Sequence, residues 1–272
     1  MLDTCRVDAL KEVAPEYDFI DNVNSIWSVG SATREWIANT FNRDRLDEIQ
    51  ETALVNYCGI ADWVMSEGSP RITTTESGFE PYLCEWDVVN KEDFYLIEEV
   101  WQKTDGCKLT DLTRPETITN HAISVSREHN PNRMVVHYKQ PHEPYTANAL
   151  RENREMKPHE KDPFGSLRRG HPKEKIWRSY LDELRYGLDN VSVLLDNIDA
   201  EKVVITADHG EAFGEFGVYN HPLGFPHPKV KKVPWALTSA KDTRSHTPDI
   251  DQADTHKSSE EVEGQLEALG YM

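Results

Sequence analysis

The sequence contains few of the features that mark a membrane, secreted or zinc-finger protein. Its longest apolar runs are a handful of residues, far below the ~20 that a spanning helix needs. The opening residues, MLDTCRVDAL, contain no apolar core of the kind a secretory signal peptide has. Cysteines are scarce and show no CxxC spacing, which argues against a disulfide framework or a zinc site; they are Cys5, Cys58, Cys84 and Cys107. These absences predict a cytoplasmic protein with free thiols and no membrane span.

Basic residues are fewer than acidic residues. The chain has 30 Lys and Arg against 48 Asp and Glu, a formal net charge of -18 over 272 residues. A field of this sign repels polyanions, so we expect no nucleic-acid partner. The acidic excess fits a halophilic protein, in which salt screens the self-repulsion, and equally an ordinary acidic protein. Nothing in the composition predicts the oligomeric state.

Apolar periodicity predicts an α/β fold. Residues 173–198 carry apolar side chains every three or four positions, as an amphipathic helix does, and lead into a short apolar strand over 202–207. A helix that delivers the chain to such a strand is typical of α/β proteins with a parallel sheet. Further strands are predicted over 25–29, 52–57 and 133–138, and further helices within 4–19, over 33–41, over 94–101 and from Pro115.

Polar stretches divide the rest of the chain. Residues 66–85 and 141–172 are predicted to be loops, and a loop as long as the second is usually functional or disordered. Residues 240–262 are acidic and poor in large apolar groups, which favours disorder. We therefore expect a catalytic domain over 1–238 and an acidic flexible tail over 239–272 whose last residues dock.

The segment VVITADHGEAFGEFGVYNH carries the most specific chemistry. A strand ends in Asp208-His209-Gly210, and ligands of open α/β sheets bind beyond the carboxyl ends of strands. A carboxylate and an imidazole at that position can hold a divalent metal, and His221 can return to the same rim. A solvated Asp-His pair on a surface loop is the alternative. The apolar strand before it and the glycines after it favour the metal site.

Four segments resemble the sulfatase branch of the alkaline phosphatase superfamily. The segment ADHGEAFGEFG is followed by a His and then by Val233-Pro234, as in that family. HYKQPHEPY resembles the family's strand and His-x-Pro-Tyr turn, which implies that His142 lies near the substrate's anionic group. LDTCRVDAL resembles the opening strand end, with Asp3 as first metal ligand, and LEALGYM resembles the closing stretch.

The resemblance implies a mostly parallel sheet flanked by helices and a metal site. Asp3, Asp208 and His209 are expected to hold one divalent cation, either Ca, Mg or Mn, with a second metal at His221 as a further option. Family members place an apolar strand before the first Asp. Only Met1 and Leu2 precede it here, so we expect a truncated first strand and an upstream extension.

The stretch SATREWIANTF resembles the family's nucleophile helix, which places Ser31 at the nucleophile position. The Pro and Arg of the formylglycine modification motif are replaced by Thr33 and Glu35. Ser31 is therefore predicted to act as an unmodified alkoxide. Thr33 is the alternative nucleophile if the register slips, and Ser31 as a simple helix cap is the structural alternative.

These residues imply a metal-dependent sulfatase-like hydrolase of a sulfate or phosphate ester, acting on an anionic small molecule or glycan. His142 and His221 would contact the transferring group or protonate the leaving oxygen. Two alternatives are a phospho- or sulfo-group transferase acting on glycan or lipid headgroups, and a non-catalytic relative that serves as a binding scaffold. Of the other histidines, His137 is expected in the core, and His159, His171 and His227 on the surface.

Overall fold

The computed structural model describes residues 1–65, 86–103 and 112–250. The strands in these ranges are β1 (Asn24–Trp27), β2 (Thr52–Asn56), β3 (Leu96–Glu99), β4 (Arg133–His137), β5 (Ala200–Thr206), β6 (Ala212–Phe213), β7 (Tyr219–Asn220) and β8 (Lys232–Ala240). The helices are α1 (Val7–Val13), α2 (Thr33–Thr40), α3 (Leu46–Ile49), α4 (Ile60–Met65), α5 (Pro115–His129), α6 (Ala147–Arg151), α7 (Pro158–Lys161), α8 (Pro163–Arg168), α9 (Lys173–Leu195) and α10 (Pro228–Lys231). None of these helices has both the length and the apolar composition that a membrane crossing requires.

Two three-stranded sheets form the framework. In the order β3-β2-β4 all pairings are parallel, with Leu54 opposite Ile97 and Val55 opposite Val136. In the order β1-β8-β5 both pairings are antiparallel, with Ile26 opposite Val233. The predicted α/β fold with a parallel sheet flanked by helices is confirmed by β3-β2-β4, and the second sheet is antiparallel because β8 returns between β1 and β5.

The first residues of the chain join the two sheets. Leu2 forms a parallel bridge with Tyr138, and its N–H donates to the Thr206 carbonyl at 2.8 Å. The Asp3 N–H donates to the Tyr138 carbonyl at 3.0 Å. The residues before Asp3 thus take the central position that the resemblance gives to the first strand. They hold Asp3 between the carboxyl ends of β4 and β5.

The core packs around α9. Ile176, Leu184 and Leu188 on its apolar face are fully buried, which matches the predicted periodicity. α9 contacts α5 and β8, and α5 contacts β2 and β4, so the two helices cover the sheets. Each buried aliphatic side chain of this kind stabilises the fold by about 1.5–3 kcal/mol relative to exposure.

The prediction of a helix over 94–101 is wrong. Leu96–Glu99 form strand β3, with Ala53 opposite Leu96 and Asn56 opposite Glu99. The backbone pairing with β2 outweighs the local helical pattern, since strand formation depends on the neighbouring strand. A 3₁₀ turn over Val100–Gln102 follows directly.

The predicted loop over 141–172 contains the three short helices α6, α7 and α8. Buried Glu183 on α9 accepts hydrogen bonds from the N–H groups of Thr146 and Ala147 at 2.6 and 2.8 Å, which anchors the start of α6. α7 and α8 both begin with proline, which is favoured at the first helical position.

Residues 241–250 were expected in the flexible tail and are instead anchored. The Lys241 N–H donates to the Leu195 carbonyl at 2.9 Å, and Arg127 forms an ion pair with Asp242 at 2.8 Å. The composition of the segment favours disorder, but helices α5 and α9 supply the partners that hold it. The rest of the predicted tail, the loop over 66–85, and Cys84 and Cys107 lie outside the described residues. Cys5 and Cys58 are buried free thiols, as predicted.

Candidate functional site

Three predicted metal ligands meet between β4 and β5. Asp3, Asp208 and His209 are fully buried, and one ligand atom from each lies within 4.8 Å of the others. Asp208 and His209 follow β5 directly, and Asp3 lies beside the end of that strand. Gly210 allows the turn after them, because a Cβ there would lie 2.3 Å from the Lys229 carbonyl oxygen.

The His209 ring presents one nitrogen to three oxygens. Its Nε2 lies 3.3 Å from Thr33 Oγ1 and 3.4 Å from Asp208 Oδ2. It also lies 3.5 Å from Asp3 Oδ1. Since Nδ1 lies 2.9 Å from the Gly210 carbonyl, which only accepts, Nδ1 carries a proton, and Nε2 is the ring nitrogen that faces the cluster. Tetrahedral ligands at about 2.1 Å from one ion lie roughly 3.4 Å apart, which is close to these three distances from Nε2. Thr33 Oγ1 and Asp208 Oδ2 lie closer to each other, at 2.7 Å.

The charges of the cluster also fit a cation. Asp3 Oδ1 is buried and makes no hydrogen bond to any described residue. Burial, followed by repulsion from Asp208, raises the pKa of Asp3 well above its ordinary value. Burial alone would raise the pKa of Asp208 too, but the nearby imidazoles of His209 and His137 and the hydroxyl of Thr33 lower it. Two adjacent buried carboxylates with an unsatisfied oxygen are the donor set that a divalent cation stabilises.

Thr33, not Ser31, supplies the hydroxyl at this cluster. Thr33 is the first residue of α2, and its Oγ1 donates to Asp208 Oδ2 at 2.7 Å. Ser31 is equally buried, but its Oγ lies 2.8 Å from Glu35 Oε2 and 3.0 Å from the Pro222 carbonyl oxygen. The position predicted for Ser31 beside the metal ligands is therefore taken by Thr33, the alternative that the sequence left open. Ser31 is held away because Glu35 binds both its N–H and its hydroxyl.

The two predicted site histidines lie next to the cluster. The ring centroid of His221 is 4.4 Å from that of His209 and 5.2 Å from that of His142. His142 Nδ1 lies 2.6 Å from the Glu143 carbonyl, and His221 Nδ1 lies 3.1 Å from Glu211 Oε1. Burial lowers the pKa of both rings well below the ordinary value, so both are neutral near pH 7.

Sequence reasoning missed four polar residues around the site. Tyr57 donates from its hydroxyl to Asp3 Oδ2. Burial raises the pKa of both Glu143 and Glu211 to about 8. Lys139 is buried, and its Nζ donates to the carbonyls of His142 and Pro144, the second at 2.8 Å. The available signal was the placement of Tyr57 and Lys139 at the ends of apolar strands.

The remaining histidines differ partly from expectation. His137 is buried as predicted, with its Nε2 3.7 Å from Asp208 Oδ2, and burial lowers its pKa to about 4. His159, within α7, and His227, at the N-cap of α10, were expected on the surface and are buried. His171 is exposed as predicted.

No protein-family model matches the chain, and no curated protein matches it either. Several solved structures resemble it, among them three of phosphoethanolamine transferases. One is the soluble domain of lipooligosaccharide phosphoethanolamine transferase A from Neisseria meningitidis, with TM-score 0.57 and 15% identity over 90% of this chain and 76% of that chain. The integral membrane protein of the same name has TM-score 0.55 and 15% identity over 90% of this chain and 48% of that chain. The C-terminal periplasmic domain of phosphoethanolamine transferase EptC from Campylobacter jejuni has TM-score 0.52 and 16% identity over 88% and 77%.

These structures have the alkaline phosphatase-like fold. The chain therefore has this α/β fold, as the sequence predicted. It spans about half the length of the integral membrane transferase.

Proposed function

We propose that the chain is a metal-dependent transferase that moves a phosphate-ester group onto a lipid or glycan headgroup, with Thr33 as the nucleophile. The observation that carries the proposal is the contact of Thr33 Oγ1 with Asp208 and His209 in a buried donor cluster. The names of the structural neighbours, which are phosphoethanolamine transferases, favour transfer over hydrolysis.

Asp3, Asp208, His209 and Thr33 would hold the metal. When bound, a divalent cation lowers the pKa of a hydroxyl and neutralises charge on the ester oxygens. Three oxygens and one imidazole nitrogen are fewer ligands than the six to eight that Ca prefers, which favours a smaller ion such as Mg, Mn or Zn.

Thr33 is oriented for attack on phosphorus. Its hydroxyl proton points to Asp208 Oδ2 at 2.7 Å, which leaves the oxygen lone pairs for the substrate. Its position in the first turn of α2 places the positive end of the helix dipole beside the developing anion. In the first half-reaction a bond forms between Thr33 Oγ1 and phosphorus, the hydroxyl proton passes to Asp208 Oδ2, and the bond from phosphorus to the donor's leaving oxygen breaks.

The histidines and Glu211 divide the proton transfers. Because His142 donates from Nδ1 to the Glu143 carbonyl, its Nε2 carries a lone pair that can accept a proton from the acceptor hydroxyl. Protonation of the leaving oxygen by His142, the role expected from sequence, is the alternative. Glu211, whose pKa is raised to about 8, keeps a proton near pH 7 and can supply it to the leaving oxygen through the neighbouring His221.

A sulfate- or phosphate-ester hydrolase, the main prediction from sequence, is the second candidate. It would use the same residues, with water in place of the acceptor, and the sulfatase-like DHGE segment favours it. A non-catalytic scaffold is disfavoured by the unsatisfied Asp3 Oδ1, which costs stability unless a ligand binds it.

The test is an assay of headgroup release with and without an acceptor. Vesicles of headgroup-labelled phosphatidylethanolamine serve as the donor, with added Mn or Zn and a hexa-acylated lipid A or an oligosaccharide as the acceptor. A transferase releases diacylglycerol and moves the label to the acceptor. Release of free phosphoethanolamine or phosphate, at the same rate without acceptor, supports the hydrolase. Turnover of nitrophenyl sulfate alone would overturn the assignment to phosphate esters.

A further inference from the structure

Tyr57 is a buried residue directly after strand β2. It is 2% exposed, and all five residues of β2 before it are buried. Its carbonyl accepts a hydrogen bond from Thr113 Oγ1 at 3.0 Å, which holds the end of the strand from the other side. Its hydroxyl donates to Asp3 Oδ2. A buried phenol on a rigid strand end thus reaches a carboxylate that the sequence places far away.

The two oxygens of Asp3 have different surroundings. Oδ2 accepts from Tyr57, while Oδ1 makes no hydrogen bond to a described residue and lies 3.5 Å from His209 Nε2. The Tyr57 bond therefore selects which oxygen remains for a cation. Ligand orientation by outer hydrogen bonds of this kind commonly determines metal affinity.

Asp3 needs such support more than the other ligands do. Asp208 and His209 follow the seven-residue strand β5, whereas Asp3 follows a two-residue segment that is held by backbone hydrogen bonds to Tyr138 and Thr206. The Asp208 carboxylate also accepts from Thr33 Oγ1 and from two backbone N–H groups, those of Thr4 and His209. Asp3 has one side-chain hydrogen bond, and Tyr57 supplies it.

The ring of Tyr57 also packs against His137, which lies beside the Asp208 carboxylate. It packs edge-on against His137 with a centroid distance of 4.9 Å, and His137 Nε2 lies 3.7 Å from Asp208 Oδ2. The same side chain thus fixes Asp3 through its hydroxyl and supports the neighbour of Asp208 through its ring.

We propose that Tyr57 is a positioning residue of the metal centre: its hydroxyl holds Asp3 so that Oδ1 alone binds the cation. The inference depends on the metal site of the proposed function and is independent of the reaction catalysed there. A purely structural role would make the hydroxyl a partner for a buried carboxylate, with no effect on metal affinity once the protein has folded.

The experiment compares Tyr57→Phe with Tyr138→Phe. Tyr138 is also a buried tyrosine at a strand end, and its hydroxyl pairs with Thr119 Oγ1 at 2.8 Å instead of with a ligand carboxylate. Affinity for Mn and for Zn is measured by titration calorimetry on protein whose folding is checked by near-ultraviolet circular dichroism. We expect Tyr57→Phe to weaken the Kd by roughly 10–100-fold and Tyr138→Phe to change it by less than about threefold. Equal affinity of folded Tyr57→Phe and wild type would overturn the inference.

A double variant and a crystal structure test the route and the geometry of the effect separately. In an Asp3→Asn background the Tyr57→Phe effect should disappear, because the hydroxyl acts through Asp3; a full additional loss contradicts that route. A crystal structure of the Mn-loaded wild type tests the geometry without any variant. Asp3 should bind through Oδ1 with Tyr57 still on Oδ2, and binding through both oxygens would refute the proposal. If wild type binds neither metal, the metal site of the proposed function fails and the inference falls with it.

Discussion

Ser31 and Thr33 lie two positions apart at the start of α2, and their hydroxyl groups have different neighbours. Both are fully buried. The Ser31 hydroxyl is enclosed by a carboxylate and a carbonyl that belong to no ligand cluster. The Thr33 hydroxyl shares its surroundings with two metal-ligand candidates. Burial of a hydroxyl is therefore a poor guide to its role, and the chemistry of its neighbours is a better one.

The largest expected effect separates these two hydroxyls. Thr33→Ala should lower headgroup release on the order of 10⁴-fold or more, as loss of a nucleophile does, whereas Ser31→Ala should stay within about tenfold of wild type. Thr33→Ser keeps a hydroxyl at the cluster and should retain measurable turnover. Initial rates with labelled phosphatidylethanolamine and Mn provide the measurement. Loss of activity in Ser31→Ala with activity kept in Thr33→Ala would reverse the comparison.

The effect of metal on thermal stability gives a second comparison between Ser31 and the ligand cluster. A saturating cation should stabilise wild type by about 2–4 kcal/mol at 100–1,000 times its Kd, because it binds only the folded chain. Ser31→Ala should show the same rise in Tm on adding Mn to chelator-treated protein, since Ser31 touches no ligand. Asp208→Asn is the matched negative control. An unchanged Tm in wild type would exclude the cluster as a metal site.

Glu35 holds Ser31 away from the cluster. Removing Glu35 therefore tests whether Ser31 has only a structural role. Glu35→Ala removes the acceptor for the Ser31 N–H at 2.7 Å and the Lys231 partner at 3.9 Å. We expect a loss of about 1–2 kcal/mol in the free energy of unfolding and less than a tenfold change in turnover. Denaturant titration measures the loss, and exposed Glu48→Ala serves as the control. A loss of activity as large as that of Thr33→Ala would mean that Ser31 or Glu35 takes part in catalysis.

The last prediction, up to about 1.4 kcal/mol per pH unit, concerns the pH dependence of stability at Glu143, which adjoins His142. Burial raises the pKa of Glu143 from 4.5 to about 8. Between these values the folded protein holds a proton that the unfolded chain has released, so this group's contribution to stability falls as pH rises. Glu143→Gln should remove up to about 1.4 kcal/mol per pH unit of that fall. Unfolding of metal-free protein from pH 5 to 8 measures the slope, with exposed Glu155→Gln as the control. A slope equal to that of wild type would contradict the assignment.

Much of the framework could be predicted because its signals are local. The apolar face of α9 and the apolar runs of β4 and β5 determine their own structure, and the Asp-His pair after β5 marks the ligand end of a strand. Strand β3 could not be predicted, since Leu96–Glu99 become a strand only through pairing with β2. The anchoring of residues 241–250 depends in the same way on distant helix ends.

The details of the site were less accessible for a related reason. A shift of two residues in where α2 begins exchanges Ser31 for Thr33, and helix boundaries are the least reliable part of a sequence-based prediction. The Tyr57 bond to Asp3 joins residues 54 positions apart, and no local pattern encodes it. Ligand types could be predicted from sequence, but the oxygen that meets the metal depends on tertiary packing.

The central claim is that Thr33 carries the transferred group. The most direct test quenches a single turnover with headgroup-labelled phosphatidylethanolamine and Mn in acid, followed by peptide mass spectrometry. The account predicts the mass of the transferred group on the peptide that contains Ser31 and Thr33, with fragmentation assigning it to Thr33, and no adduct in Thr33→Ala. An adduct on Ser31, or turnover by Thr33→Ala at the wild-type rate, would contradict it.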